Sequence, residues 1–74
     1  MAGKQNIVGA RVRRLRNERG LTQEMLAARC EVRGMKLSRA TLSKIEAQLR
    51  CVTDAELKVI ADALQVPIQA LFAE

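Results

Sequence analysis

Four neighbouring side chains in the middle of the chain could recognise another molecule through hydrogen bonds and close apolar contact. They recur on one side of a 3.6-residue repeat, while the apolar Leu42 and Ile45 recur on the other side. Guanidinium, ammonium and hydroxyl groups donate hydrogen bonds and a methyl group can meet a thymine methyl, so this set suits base edges in a DNA major groove. The segment therefore predicts an amphipathic helix with a groove-reading outer face, formed by Arg39, Ala40, Ser43 and Lys44.

Two cap residues predict where this helix and the one before it begin. Thr22 and Ser38 each carry a hydroxyl that can accept a hydrogen bond from a backbone N–H in the first turn of a helix. That end of a helix also offers free N–H groups and the positive end of the dipole, which favour phosphate. We therefore expect the chain at Gln23, directly after Thr22, and at Ser38 to approach phosphate groups.

The rest of the chain predicts three more helices around a shared apolar core. An early helix follows the cap residue Asn6 and ends at Gly20. A fourth helix begins at a capping box formed by Thr53 and Glu56, and a short fifth one covers Ile68 to Phe72. Apolar residues recur every three or four positions in the first and fourth helices, at Val8, Val12, Leu15, Leu57, Ile60, Ala61 and Leu64.

The composition is typical of one small all-α domain, covering residues 1–74. Of the 74 residues, 49% are hydrophobic, but there is a single aromatic residue and a single proline. The chain has no His, no cysteine cluster with metal-ligand spacing and no glycine-rich loop after a strand. We therefore expect no enzyme activity, no metal site and no cofactor.

The charge is distributed unevenly along the chain. Residues 1–50 hold twelve of the thirteen Lys and Arg against four acidic residues, whereas residues 51–74 hold one Lys against four acidic residues. A basic surface attracts a polyanion by releasing its counterions, and an acidic pole opposite would orient the approach. Such a run of arginines is equally often a solvated helix surface, an alternative that applies to Arg11, Arg13, Arg14, Arg19 and Arg29.

The apolar stretches are too short to span a membrane, and the start of the chain lacks the apolar core of a signal peptide. We expect a soluble, cytoplasmic protein of bacterial or phage type that associates with the nucleoid. In that setting Cys30 and Cys51 are expected to be small buried side chains rather than a disulfide.

Taken in order, these segments resemble the phage-repressor (Xre/Cro-type) helix-turn-helix family over nearly the whole chain. The resemblance implies a compact five-helix, lambda-repressor-like fold in which residues of about 22–47 form the helix-turn-helix and its second helix recognises DNA. It rests on the order and spacing of Val8-Gly9, Arg11-Val12, Leu15-Arg16, Arg19 to Glu24, Leu26-Ala27, Thr41 to Glu46, Arg50, Leu57, Ile60-Ala61, Ala63-Leu64 and Leu71-Phe72.

The resemblance also implies roles for single residues. Gln23 and Thr41 correspond to phosphate-contacting positions, whereas Arg39, Ala40 and Lys44 correspond to base-facing positions, with Ser43 at the edge of the groove. Arg39 leads this set because its guanidinium can bridge O6 and N7 of a guanine, and a solvated charge at the helix start is the alternative. The family also pairs the residues at Arg16 and Glu46 as an ion bridge between the first helix and the recognition helix.

Two departures from the family pattern affect the recognition helix. About five extra residues lengthen the connection at residues 31–37, where Gly34 can adopt a left-handed conformation and Leu37 can enter the core. Arg33 and Lys36 in that connection either contact phosphate or keep a loop soluble. In addition, Ala47-Gln48 stands where the family has glycine, so the recognition helix is predicted to run on to about Leu49.

The function that follows is sequence-specific binding of double-stranded DNA by a small transcriptional regulator, most simply a repressor. A single small reading head seldom gives enough specificity, so a weak homodimer through the apolar Ile68, Leu71 and Phe72 is expected, unless these residues belong to the core. The alternative is a protein-interaction module, or an antitoxin-like partner of another protein.

Overall fold

A computed structural model describes residues 4–72 of the chain. This part of the chain folds into four α-helices followed by a short 3-10 helix. The α-helices are α1 (Gly9–Glu18), α2 (Gln23–Val32), α3 (Arg39–Glu46) and α4 (Asp54–Leu64), and the 3-10 helix is Ile68–Phe72.

Side-chain caps fix the start of each α-helix. The hydroxyls of Thr22, Ser38 and Thr53 accept hydrogen bonds from the third backbone N–H that follows, and Thr53 and Glu56 form a complete capping box. Asn6 caps α1 although it lies two residues before Val8, the residue that directly precedes the helix. Its Oδ1 accepts hydrogen bonds from the backbone N–H groups of Val8 and Gly9 at 3.1 and 2.7 Å. The four caps predicted from the sequence are thereby confirmed.

The helices end in tight turns with a left-handed residue. Gly20 and Gly34 adopt positive φ angles after α1 and α2, as glycine does without steric cost. After α3 and α4, the same conformation is taken by Gln48 (φ 64°) and Gln65 (φ 59°). Gln48 N–H donates to the Ile45 carbonyl and Leu49 N–H to the Lys44 carbonyl, which closes the turn.

The extent of α3 therefore differs from the prediction. The helix ends at Glu46 and does not run on to Leu49, because Gln48 takes the left-handed position that glycine would otherwise fill. Asn6 fixes this end, since its Nδ2 donates to the carbonyls of Ile45 and Arg50 at 3.1 and 2.8 Å.

The connection between α2 and α3 is shorter than residues 31–37. Glu31 and Val32 continue α2, and the backbone leaves the helix at Arg33. Leu37 is buried as predicted, and Met35 joins it in the core. These two side chains hold the connection against the bundle.

Aliphatic side chains from all five elements fill one core. Leu26, Leu42, Ile45, Ile60 and Leu64 are fully buried in it. Burial on this scale contributes roughly 25 cal/mol per Å² of apolar area removed from water, which is the main stabilising term in a domain of this size.

The two cysteines differ in their surroundings. Cys30 is fully buried, and its burial raises the pKa of the thiol to about 11, opposed in part by the Arg33 charge. Cys51 is exposed, so the prediction that both are buried is wrong for Cys51. It lies in the extended segment before α4, where its Sγ faces Gln5 at 3.4 Å from Oε1.

The short fifth helix predicted for Ile68 to Phe72 is present as a 3-10 helix, so the all-helical fold is confirmed, but residues 4–72 contain four α-helices and a 3-10 turn. Five residues after a proline are too few to stabilise an α-helix on their own. Leu71 in this segment is fully buried, whereas Ile68 and Phe72 stay partly exposed. None of the helices within residues 4–72 is long and apolar enough to cross a membrane.

Candidate nucleic-acid interface

The outer face of α3 is open to solvent. Leu42 and Ile45 are fully buried beneath it. The four side chains predicted to face base edges are all exposed on the other side of the helix: Arg39, Ala40, Ser43 and Lys44. An exposed helix face with donors and a small apolar group can enter a major groove without first breaking a packed contact.

Arg39 has a neighbour of opposite charge. Its Nε lies 3.6 Å from Oε2 of Glu24 on α2, and both side chains are more than half exposed. An exposed pair at this distance contributes little to stability, so the guanidinium can exchange Glu24 for another acceptor at small cost. The pair therefore orients the Arg39 side chain and still leaves its guanidinium available to bind another acceptor.

The first turn of α3 holds the Ser38 hydroxyl in place. Ser38 Oγ accepts from the Thr41 backbone N–H at 3.1 Å and lies 3.0 Å from the Thr41 hydroxyl. The Ser38 hydroxyl is occupied by these two hydrogen bonds. The backbone N–H groups of Arg39 and Ala40 are in the first turn of α3, where no carbonyl of the same helix can accept from them. The N-terminal end of α3 thus presents backbone N–H donors that suit an anion.

Arg16 on α1 and Glu46 on α3 form a buried, two-pronged ion pair. Arg16 Nε donates to Glu46 Oε2 at 2.7 Å, and its Nη2 donates to Oε1 at 3.1 Å. Arg16 Nη1 also donates to the Leu21 carbonyl at 2.7 Å. The pair therefore fixes α3 against α1 and against the residue that leads into α2.

Gln23 joins this pair. Its side-chain Nε2 donates to Glu46 Oε1 at 3.1 Å, which holds the amide at the start of α2 against the end of α3. Beside it is a cleft of about 240 Å³, which we name the Gln23 cleft. Its walls are formed by Arg13, Arg16, Gln23, Ser43, Glu46 and Ala47.

Arg33 and Lys36 lie in a different place. Both side chains are exposed and line a shallow cleft between the α2–α3 connection and α4, together with Ala55 and Val59. Arg33 also donates to the Arg29 carbonyl at 2.9 Å, which completes the end of α2. Their predicted contact with phosphate stays a prediction.

The segment that leaves α3 is tied to the start of α4. Both terminal nitrogens of Arg50 donate to the Glu56 carboxylate, at 3.3 and 3.0 Å. These bonds, assisted by the Thr53 backbone N–H, hold the pKa of Glu56 below its usual value against the opposing effect of burial. The contact secures the capping box of α4 rather than the exposed face of α3.

Comparisons with known proteins agree with this geometry. The helix-turn-helix family model matches residues 12–71. Among solved structures, the chain is similar to the restriction-modification controller protein C.AhdI from Aeromonas hydrophila, with a TM-score of 0.78 and 32% sequence identity. That match covers 88% of this chain and 91% of the other. No curated protein matches the sequence.

The fold and the open face of α3 define a helix-turn-helix DNA-binding domain. The chain belongs to the Xre/Cro-like helix-turn-helix family, as its sequence resemblance predicts, and it is a DNA-binding transcriptional regulator.

Sequence reasoning left Arg13 undecided between a DNA-attracting basic surface and a solvated helix surface. The structure places it on the wall of the Gln23 cleft, beside Gln23 and Ser43. Arg13 stands three residues before Arg16, a spacing that puts both on the same side of α1. That spacing is the signal that could have located Arg13 next to α3.

Proposed function

We propose that the chain reads the sequence of double-stranded DNA with α3 in the major groove, acting as one DNA-binding domain. The observation that carries this proposal is the open outer face of α3, held by a buried ion pair at one end and a capped turn at the other. A reading helix must be rigid to present its side chains in register with the bases, and both ends of α3 are fixed.

The residues divide into two roles in this proposal. Arg39 and Lys44 donate to guanine O6 and N7, Ala40 meets a thymine methyl, and Ser43 lies at the groove edge. Phosphates are bound by Gln23 and by the first turn of α3 at Ser38 and Thr41. Phosphate contacts fix the register of the helix on the duplex, and the base contacts then discriminate between sequences.

The kind of regulation has support from the relative. C.AhdI is a restriction-modification controller protein, and its similarity over most of both chains supports transcriptional control by this chain. Repression stays the prediction for the sign of that control.

We further infer that two copies act together on two half-sites. Ile68 and Phe72, which are 39% and 49% exposed, supply the apolar surface for such a dimer. Leu71, the third residue predicted for this surface, is fully buried and belongs to the core instead. The reduced surface supports a weak contact that becomes effective when both copies are on DNA.

The test begins with selection of bound duplexes from a random library, followed by affinity measurements on the selected and a scrambled duplex. We expect a two-fold symmetric motif that binds at least about 1,000-fold better than scrambled DNA. Arg39→Ala should then lower affinity for the selected duplex by about fivefold to 150-fold, since a bidentate guanine contact discriminates by about 1–3 kcal/mol. Binding to the scrambled duplex should change much less.

The matched control is Lys58→Ala, which removes one positive charge from the exposed side of α4. It should leave the preference for the selected duplex unchanged. Absence of any enriched motif, with binding that vanishes near physiological salt, would contradict the proposed function and favour a protein partner.

A further inference from the structure

Arg13 is distinguished from its neighbours on α1 and α2 by what its side chain contacts. Within residues 4–72, Arg14 pairs with Glu18 and Arg16 pairs with Glu46, and three arginines donate to backbone carbonyls that are more than 30 residues away in sequence. Those three are Arg11 to Ala70, Arg19 to Gln65 and Arg29 to Ala63. The exposed Arg13 makes no hydrogen bond or ion pair in the same part of the chain.

The Gln23 cleft brings this guanidinium next to the proposed reading surface. Arg13 shares the cleft wall with Ser43, on the outer face of α3, and with Gln23, at the first turn of α2. A volume of about 240 Å³ leaves room for a phosphate group with its water. The cleft therefore adjoins the place where the DNA backbone would pass if α3 lies in the groove.

The charges around the cleft favour an anion at Arg13. Glu46 is also in the wall, but its side chain is only 3% exposed and both of its oxygens accept hydrogen bonds from Arg16. Arg16 and Glu46 together are neutral, so Arg13 contributes an unbalanced positive charge. Gln23 gives one amide N–H to Glu46 and keeps a second for a ligand.

From this juxtaposition we propose that Arg13 binds a DNA backbone phosphate at the Gln23 cleft, together with the Gln23 amide. This inference rests on the proposed function and adds α1 to the elements that hold the duplex. The guanidinium supplies a charge-assisted hydrogen bond that carries no sequence information, and Gln23 fixes where the phosphate sits.

The experiment measures affinity across a salt series for the wild type, Arg13→Ala, Arg13→Lys and Lys58→Ala. Both the selected and the scrambled duplex are used. Arg13→Ala should reduce the slope of log affinity against log salt by about 0.9, which corresponds to about an eightfold loss near 0.1 M salt. Arg13→Lys should retain most of the slope, and Lys58→Ala should retain all of it.

A set of duplexes with single neutral methylphosphonates locates the contact. One position should weaken the wild type and have no further effect on Arg13→Ala, while it stays additive with Lys58→Ala. The same or the adjacent position should couple to Gln23→Ala. Thermal melting should be unchanged in Arg13→Ala, because the exposed side chain holds no partner within residues 4–72.

Equal salt slopes for the wild type and Arg13→Ala would overturn this inference, as would additivity at every phosphate. Absence of sequence preference in the wild type would instead contradict the proposed function. The comparison of slopes on the scrambled duplex remains valid in that case, so the two failures are distinguishable.

Discussion

At the level of single side chains, Arg16 and Glu46 connect the parts of the helix-turn-helix. Their charges are almost completely removed from water, which costs several kcal/mol for each ion before any pairing. Two mutual hydrogen bonds, the Leu21 carbonyl and the Gln23 amide offset that cost. Because the same carboxylate binds α1 and α2 residues, it sets the position of Gln23 relative to α3.

This geometry predicts a large loss of stability for Glu46→Ala. The substitution leaves the Arg16 guanidinium buried without its counter-ion, which should lower the free energy of unfolding by about 3–5 kcal/mol. Small domains have about 5–15 kcal/mol in total, so DNA binding should fall because the domain unfolds. Circular dichroism on heating measures the effect.

The control is Glu18→Ala, which removes a carboxylate from the exposed pair with Arg14 at 3.4 Å. This variant should change the free energy of unfolding by no more than about 0.5 kcal/mol. A wild-type melting curve for Glu46→Ala would show that the buried pair is dispensable for the fold.

At the level of the elements, the sequence predicts helix starts better than helix ends. A cap such as Ser38 acts on a backbone group three residues away, so residue type and spacing suffice to find it. The end of α3 depends on Asn6, which is 39 residues before Ile45, and on a left-handed Gln48. The bond from Gln23 to Glu46 and the shared cleft of Arg13 and Ser43 could not be predicted for the same reason, because each joins residues that are far apart in the sequence.

The position of α3 against α1 also depends on Gly9. A Cβ at this residue would overlap the Ile45 carbonyl oxygen and press on Gln48 and Asn6. Helix propensity alone would favour alanine there by up to about 1 kcal/mol. A backbone oxygen cannot move aside by changing rotamer, so steric overlap decides the sign, and α1 can approach α3 this closely only with glycine.

Gly9→Ala is therefore expected to lower the free energy of unfolding by about 1–3 kcal/mol, the usual cost of overpacking. Gly34→Ala is the matched control, because a Cβ at Gly34 meets open space and only the left-handed backbone is strained. That strain should cost about 1 kcal/mol. Urea unfolding compares the two, and a Gly9→Ala variant at least as stable as the wild type would refute the close approach.

At the level of the whole molecule, a single copy of the domain contacts only a short stretch of DNA with α3. The eight residues of α3 span about 12 Å at 1.5 Å per residue, which is roughly three to four base pairs. Each mismatched base pair costs about 1–3 kcal/mol, so a single head discriminates poorly among the many competing sites of a genome. Two copies of the domain that are joined by even a weak contact must both match their half-sites, so the preference for the correct DNA sequence is much greater.

The dimer proposal predicts what a charge on the exposed apolar surface should do. Phe72→Glu places a carboxylate where a second copy would remove it from water, while Leu71 remains in the core. Affinity for a duplex with one half-site should stay at the wild-type value, because α3 is untouched. Affinity for two half-sites should fall to that expected for independent copies, with loss of cooperativity.

The control is Gln69→Glu, which adds the same charge at an exposed polar residue of the same 3-10 helix. It separates a general effect of charge from the loss of the apolar contact. Sedimentation should show self-association of the wild type and of Gln69→Glu at high concentration, and a monomer for Phe72→Glu. Undiminished cooperativity in Phe72→Glu would mean that the two copies meet at a different surface.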